Sequence, residues 1–184
     1  MNARGNRVIG ESTAWPGTDV SSEPRIRTVA ALRERGVKFT IAPIVEGARD
    51  LPAFAERSGL SERQVIKSLL LSIDRKDAAE YALLAVAGDR SADFAALRRH
   101  FGSRSVRLAD PETVLAVTGY RIGTVTPLAL RTSNLPVLID DALLKESFVS
   151  LGTGVPGRHV RFAGADLPAA VRGAAGPFAK CRDQ

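Results

Sequence analysis

One lysine stands where binding chemistry is most easily placed. Lys67 follows a polar stretch, Ser61 to Gln64, and precedes an apolar run, Leu69 to Leu71 with Ile73. An ammonium at such a boundary either snorkels to water or meets an anion or a carbonyl, because burying it unpaired is strongly unfavourable. A solvated stem is the ordinary outcome, so a binding role needs support from the rest of the chain.

The other reactive residue types narrow the field. His100 and His159 are the only histidines, and neither has a Cys, His or Glu partner at metal-ligand spacing, so no metal site is expected. Cys181 is the single cysteine, which excludes an internal disulfide framework or a cysteine zinc cluster and fits a reducing compartment. It lies in a polar segment rather than a shaped electropositive pocket, so it carries little weight as a nucleophile. Neither a G-x-S-x-G elbow nor a Walker A loop is present. Gly152 to Gly157 reads G-x-G-x-x-G, but Arg158 to Phe162 after it is strand-like and too little chain remains for a dinucleotide fold. A tight glycine turn is the better reading, with backbone N–H groups available to line a pocket. Asp140, at the end of an apolar strand, either caps the turn that starts at Asp141, pairs with Lys67, or anchors a ligand.

These residues need a scaffold, and composition bounds it. With 184 residues, 45% hydrophobic and 25% charged, the chain suits one globular domain with a proper core. The net charge of +6 favours polyanionic partners without requiring one. No window approaches the apolar length of a membrane span and Met1 to Gly10 has no signal-peptide core, so no membrane partner and a cytoplasmic location are expected. Residues 1–22, with the lone Trp15, read as a flexible tail, 23–174 as the domain, and 175–184 as a C-terminal tail.

Within the domain, cap acids and glycine stops punctuate the helices. Ile26, Val29 and Leu32 predict a short helix closed by Gly36, and Val37, Phe39 and Ile41 an alternating strand closed by Pro43. Further helices are predicted from Asp50 to Gly59, from Asp93 to Gly102, from Asp110 to Gly119 and from Asp166 to Gly173. Leu69 to Ile73 and Tyr81 to Val86 form a predicted hairpin, apolar enough that both faces must be covered. Shorter strands fall at Val106 to Leu108, Leu135 to Ile139, Phe148 to Leu151 and Val160 to Phe162. Arg98, Arg99, Arg104 and Arg107, with His100, are the densest basic cluster, either a solvated face or a phosphate-tracking one. Interleaved helices and strands without a regular βαβ beat predict a mixed α/β fold.

Several linked motifs add a resemblance. Val65 to Leu71 with its lysine, Ala87 to Arg90 before a helix, Val106 to Val114 as strand into helix, the G-x-x-x-P loop Gly123 to Pro127, and Leu135 to Asp140 before a late glycine turn follow in order. From about Ile26 to Gly173 this order resembles the YbaK/ProX family of aminoacyl-tRNA deacylases, whose domain is also inserted in bacterial prolyl-tRNA synthetases. The resemblance implies a single domain with a curved, partly barrel-like mixed sheet surrounded by short helices. It implies an aminoacyl-tRNA deacylase that edits mischarged tRNA in trans, with Cys-tRNA(Pro) or Ala-tRNA(Pro) as substrate. A positioned water or a group of the substrate, rather than a side-chain nucleophile, would attack the ester, with no cofactor. Lys67 is the implied catalytic residue, contacting the terminal phosphate or the aminoacyl group. Ser68, the loop Gly123, Thr124, Val125, Thr126 and Pro127, then Asp140, Gly152, Thr153, Gly154 and His159 are the implied substrate-binding set. Ser68 stands where Thr or Asn often follows the lysine, and His159 falls near a polar but variable position. Aminoacyl-tRNA is the implied partner, with prolyl-tRNA synthetase a candidate second. A non-catalytic module that binds a nucleotide or an acceptor end, and a module docking on a larger protein through its basic patch, are the alternatives.

Overall fold

The computed structural model describes residues 24–76 and 79–182; the expected tail at 1–22, with Trp15, lies outside them. Helix boundaries follow local chemistry. Helix α1 (Pro24–Glu34) stops just before Gly36, which has φ 66°. In α2 (Leu51–Ser58), α3 (Phe94–Phe101) and α4 (Pro111–Thr118), an aspartate side chain accepts first-turn N–H groups and a left-handed glycine ends the helix. These are Asp50 with Gly59, Asp93 with Gly102, and Asp110 with Gly119. In α5 (Leu167–Val171) the left-handed cap is Arg172, φ 53°, not the expected Gly173. Gly173 is needed for another reason: a Cβ there would lie 2.8 Å from the Val137 carbonyl oxygen.

The strands are β1 (Thr40–Ile41), β2 (Ile66–Ile73), β3 (Glu80–Ala87), β4 (Arg90–Ala92), β5 (Val106–Leu108), β6 (Val137–Asp140), β7 (Val149–Gly152), β8 (His159–Phe162), β9 (Ala174–Gly176) and β10 (Ala179–Cys181). They make a five-stranded sheet in the order β5-β2-β3-β6-β9, a three-stranded sheet β1-β8-β7 and a pair β10-β4. β2 runs antiparallel to β3 and β5, while β3, β6 and β9 run parallel to one another, so the large sheet is mixed. A parallel bridge between Val65 and Ser150 ties the large sheet to the three-stranded one. The result is partly curved rather than a closed barrel, because β5 and β9 remain edges of the large sheet.

The apolar hairpin is covered on both faces, as its composition requires. Leu83, Ala85 and Ala87 pack into one core with Ile66, Leu70 and Ile139, while Ala82, Leu84 and Val86 pack into a second with Leu71, Leu97 and Phe178. Leu83 and Leu84 are both fully buried on opposite faces, each stabilising the fold by about 1.5–3 kcal/mol.

Lys67 is the second residue of β2, at the entrance of the strand just after the turn at Glu62–Gln64. Two expectations are corrected. The strand predicted from Val37 shrinks to Thr40–Ile41, pairing with Arg161 and Val160, and both of its residues are exposed. The segment read as a C-terminal tail from 175 carries the end of β9 and all of β10, which pair with β6 and β4 and bury Phe178 and Ala179.

Candidate functional site

β5 covers only part of the outer edge of β2. It pairs with Leu71, Ser72 and Ile73, and the Ala109 N–H reaches the Leu70 carbonyl at 2.9 Å. In an antiparallel ladder alternate residues direct their backbone groups to the same side. Ser68 therefore directs its N–H and C=O the same way as Leu70 and Ser72, but among the described residues no strand covers them there. Against that open edge lies a cavity of about 920 Å³, bounded also by the loop at 44–50, the loop at 122–125 and the turn between β7 and β8. The seam between two sheets creates the space.

Strand alternation separates Lys67 from Ser68. Ser68 shares a face with Ile66 and Leu70, whereas Lys67 shares one with Leu71 and Ile73; both border the cavity because β2 is an edge here. The Lys67 Nζ donates to the Arg90 backbone carbonyl, so its stem is half-buried rather than solvated. Burial lowers its pKa to about 8; Arg182 adds to the shift, and Asp89 and Glu62 oppose it.

Arg90 links this lysine to Asp140. Its guanidinium Nε lies 2.7 Å from Asp140 Oδ2 and its Nη2 donates to the Ala179 carbonyl at 2.6 Å. Asp140 therefore pairs with Arg90 and not with Lys67, and it does not border the cavity. Its carboxyl is fully buried, and that burial raises its pKa against the opposing pull of Arg90.

The two glycine turns divide between wall and support. Gly123, Thr124 and Val125 border the cavity, while Thr126 and Pro127 are buried behind them. Gly123 has φ 90°, and the buried Tyr120 hydroxyl donates to the Leu128 carbonyl at 2.9 Å, which pins the far side of the loop. In the second turn Gly152 and His159 border the cavity, but Thr153 and Gly154 do not. Thr153 is buried, its hydroxyl donating to the Arg158 carbonyl while its own carbonyl accepts from Thr28 of α1.

His159 is 1% exposed, edge-on to Phe54 at 4.9 Å between ring centroids, and neither ring nitrogen has a hydrogen-bond partner among the described residues. Burial first, then Arg161, hold its pKa below the ordinary imidazole value, with the Gly157 backbone opposing. Ser68 Oγ and Ser150 Oγ, both at the cavity, are likewise without partners among the described residues. Ser150 and Phe54 were not found from sequence; a serine inside a buried apolar strand was the available signal for the first. Among the described residues no group of three His, Cys, Asp or Glu side chains is placed to hold a metal, and no helix is long and apolar enough to cross a membrane.

Comparison with known proteins agrees with this architecture. Proline–tRNA ligase of Halalkalibacterium halodurans is 38% identical over 84 residues, covering 46% of this chain and 14% of that protein. The same ligase of Brachyspira hyodysenteriae is 26% identical over 128 residues, covering 70% of this chain and 21% of that protein. The chain thus spans a small part of these relatives. Among solved structures, one proposed to be a trans-editing enzyme for prolyl-tRNA synthetase superposes with a TM-score of 0.73 at 28% identity, covering 86% of this chain and 98% of that one. A hypothetical protein at 24% identity, with a TM-score of 0.74 over 84% of this chain and 99% of that one, shares the fold. The aminoacyl-tRNA editing domain family matches residues 45–170, more than half of the sequence, and the chain belongs to that family.

Proposed function

We propose that the protein hydrolyses the ester of a mischarged tRNA in trans, with the terminal aminoacyl-adenosine held against the open edge of β2. The observation that carries this reading is that edge: strand backbone groups without a strand partner, facing a cavity of about 920 Å³ walled by two glycine turns. That volume suits a small-molecule-sized end group, since ligand pockets run to roughly 300–1,000 Å³. A water, held by a backbone group or by a hydroxyl of the substrate itself, adds to the ester carbonyl carbon and gives up a proton. The tetrahedral intermediate then collapses, releasing the ribose oxygen, which takes a proton, and the free acid. Backbone N–H groups of Ser68 and of the loop at Gly123 are the donors for the developing oxyanion, as such preorganised groups are in acyl transfer generally.

Lys67 supplies the positive charge in this scheme. On substrate arrival its Nζ exchanges the Arg90 carbonyl for an oxygen of the acceptor end. The acyl group is cysteine or alanine carried on tRNA(Pro). A pocket shaped for proline discriminates against such small residues by only about 1–3 kcal/mol, so a second hydrolytic site is needed. Non-catalytic binding of an acceptor end is the competing reading, favoured by one contact, the engagement of the Lys67 amine by a carbonyl. Release of amino acid from mischarged tRNA(Pro) by the wild type, lost in Lys67→Ala, supports editing; binding without release supports the alternative.

A further inference from the structure

With the Lys67 amine engaged, the uncommitted cations at the cavity are elsewhere. Arg49 and Arg158 both border it, and neither guanidinium makes an ion pair or hydrogen bond among the described residues. Neighbouring arginines are committed: Arg57 donates to the Glu46 carbonyl at 3.1 Å and Arg161 to the Ser58 carbonyl at 2.8 Å. The two free ones rise from a single wall. The Val45 N–H donates to the Gly157 carbonyl at 2.9 Å and the Ala42 N–H to the His159 carbonyl at 3.1 Å. The chains approach so closely that a Cβ on Gly157 would lie 2.3 Å from the Val45 oxygen. Two acids share this wall. Asp50 is committed to capping α2 through the Ala53 N–H, which leaves Glu46 as the local competitor.

Guanidinium forks match phosphate oxygens in geometry and charge. We propose that Arg49 and Arg158 clamp the last phosphodiesters of a single-stranded RNA 3′ end whose terminal nucleoside lies in the cavity between the β2 edge and the glycine loops. This assignment rests on the editing reading above and adds to it the residues that hold the nucleic-acid backbone.

The test is the salt dependence of binding to a short single-stranded RNA ending in CCA. For single strands the slope of log affinity against log salt is about −0.7 per phosphate contacted, so Arg49→Gln/Arg158→Gln is expected to be shallower than wild type by about 1.4. Each single variant is expected to account for about half of that change. Arg33→Gln, on the exposed face of α1 and away from the cavity, controls for general charge and leaves the slope unchanged. An unchanged slope in the double variant, an equal change in Arg33→Gln, or no binding by the wild type at low salt overturns the clamp. Deacylation assayed in parallel separates the two ideas. Wild-type hydrolysis with an unchanged double-variant slope keeps editing and discards the clamp, whereas a shallower slope without hydrolysis does the reverse.

Discussion

Lys67 is held where its charge is costly. Its pKa of about 8 in the fold lies below the ordinary 10.5, so between those values the unfolded chain binds more protons. Stability is then expected to rise with pH across that window, and the penalty for the buried ammonium is fully present below it. If the ammonium grips the acceptor end, kcat/KM falls as pH rises through about 8, and Lys67→Arg, which stays charged, moves that limb upward. A flat profile across this range would remove the charge from the mechanism. Asp140 behaves differently. Its partner Arg90 is mostly buried, with 21% of the side chain exposed, so Asp140→Ala strands a guanidinium. The expected loss is about 3 kcal/mol, or roughly 6–12 °C in Tm for a domain of this size, read by thermal unfolding. Sequence placed a carboxylate at the end of β6 but could not pick its partner, because Arg90 and Asp140 lie 50 positions apart and meet only once β4 and β6 are brought together in the fold.

Among elements, the short helices were legible because cap acid and terminal glycine lie within one turn of each end. Of the short edge strands, β5 was read at its observed bounds, Val106–Leu108, but three others were not. β4, β9 and β10 are three residues each, and Ala-Ala-Gly in β9 has no strand signature; its pairing is set by β6 beside it. The opening beside Ser68 arises from where β5 stops, a register fact that the apolar run of β2 does not encode. The wall between the 44–50 loop and the β7–β8 turn offers a direct test. Gly36 and Gly157 both have positive φ, 66° and 68°, but only at Gly157 would a Cβ meet backbone. Gly36→Ala is expected to lose about 1 kcal/mol from strain alone. Gly157→Ala should lose more and also weaken deacylation, as denaturant titration and initial rates would report. Equal losses at both sites would mean the two chains separate without consequence.

At the scale of the molecule, the domain reaches further than composition suggested. The large sheet and the β4–β10 pair both depend on residues after Gly173, and Phe178 fills the second core beside Leu84 and Leu97. A chain ending at Gly173 therefore exposes that core. Losing one buried Phe alone costs about 3–5 kcal/mol, so the truncated protein is expected to aggregate or melt well below the full chain, read by solubility and thermal scan. A truncation as stable as the whole would return residues 175–184 to the status of a tail. The mixed α/β class was readable from interleaved periodicities, and the family from the order of its motifs. How the seam between sheets becomes a cavity was not, since Val65 and Ser150 meet across 85 positions of chain. The central claim is tested most directly by incubating the protein with tRNA(Pro) mischarged with cysteine or alanine and following release of the amino acid. The account predicts multiple turnovers by the wild type and little above background for folded Lys67→Ala; no release by the wild type from either substrate, or full activity in Lys67→Ala, would contradict it.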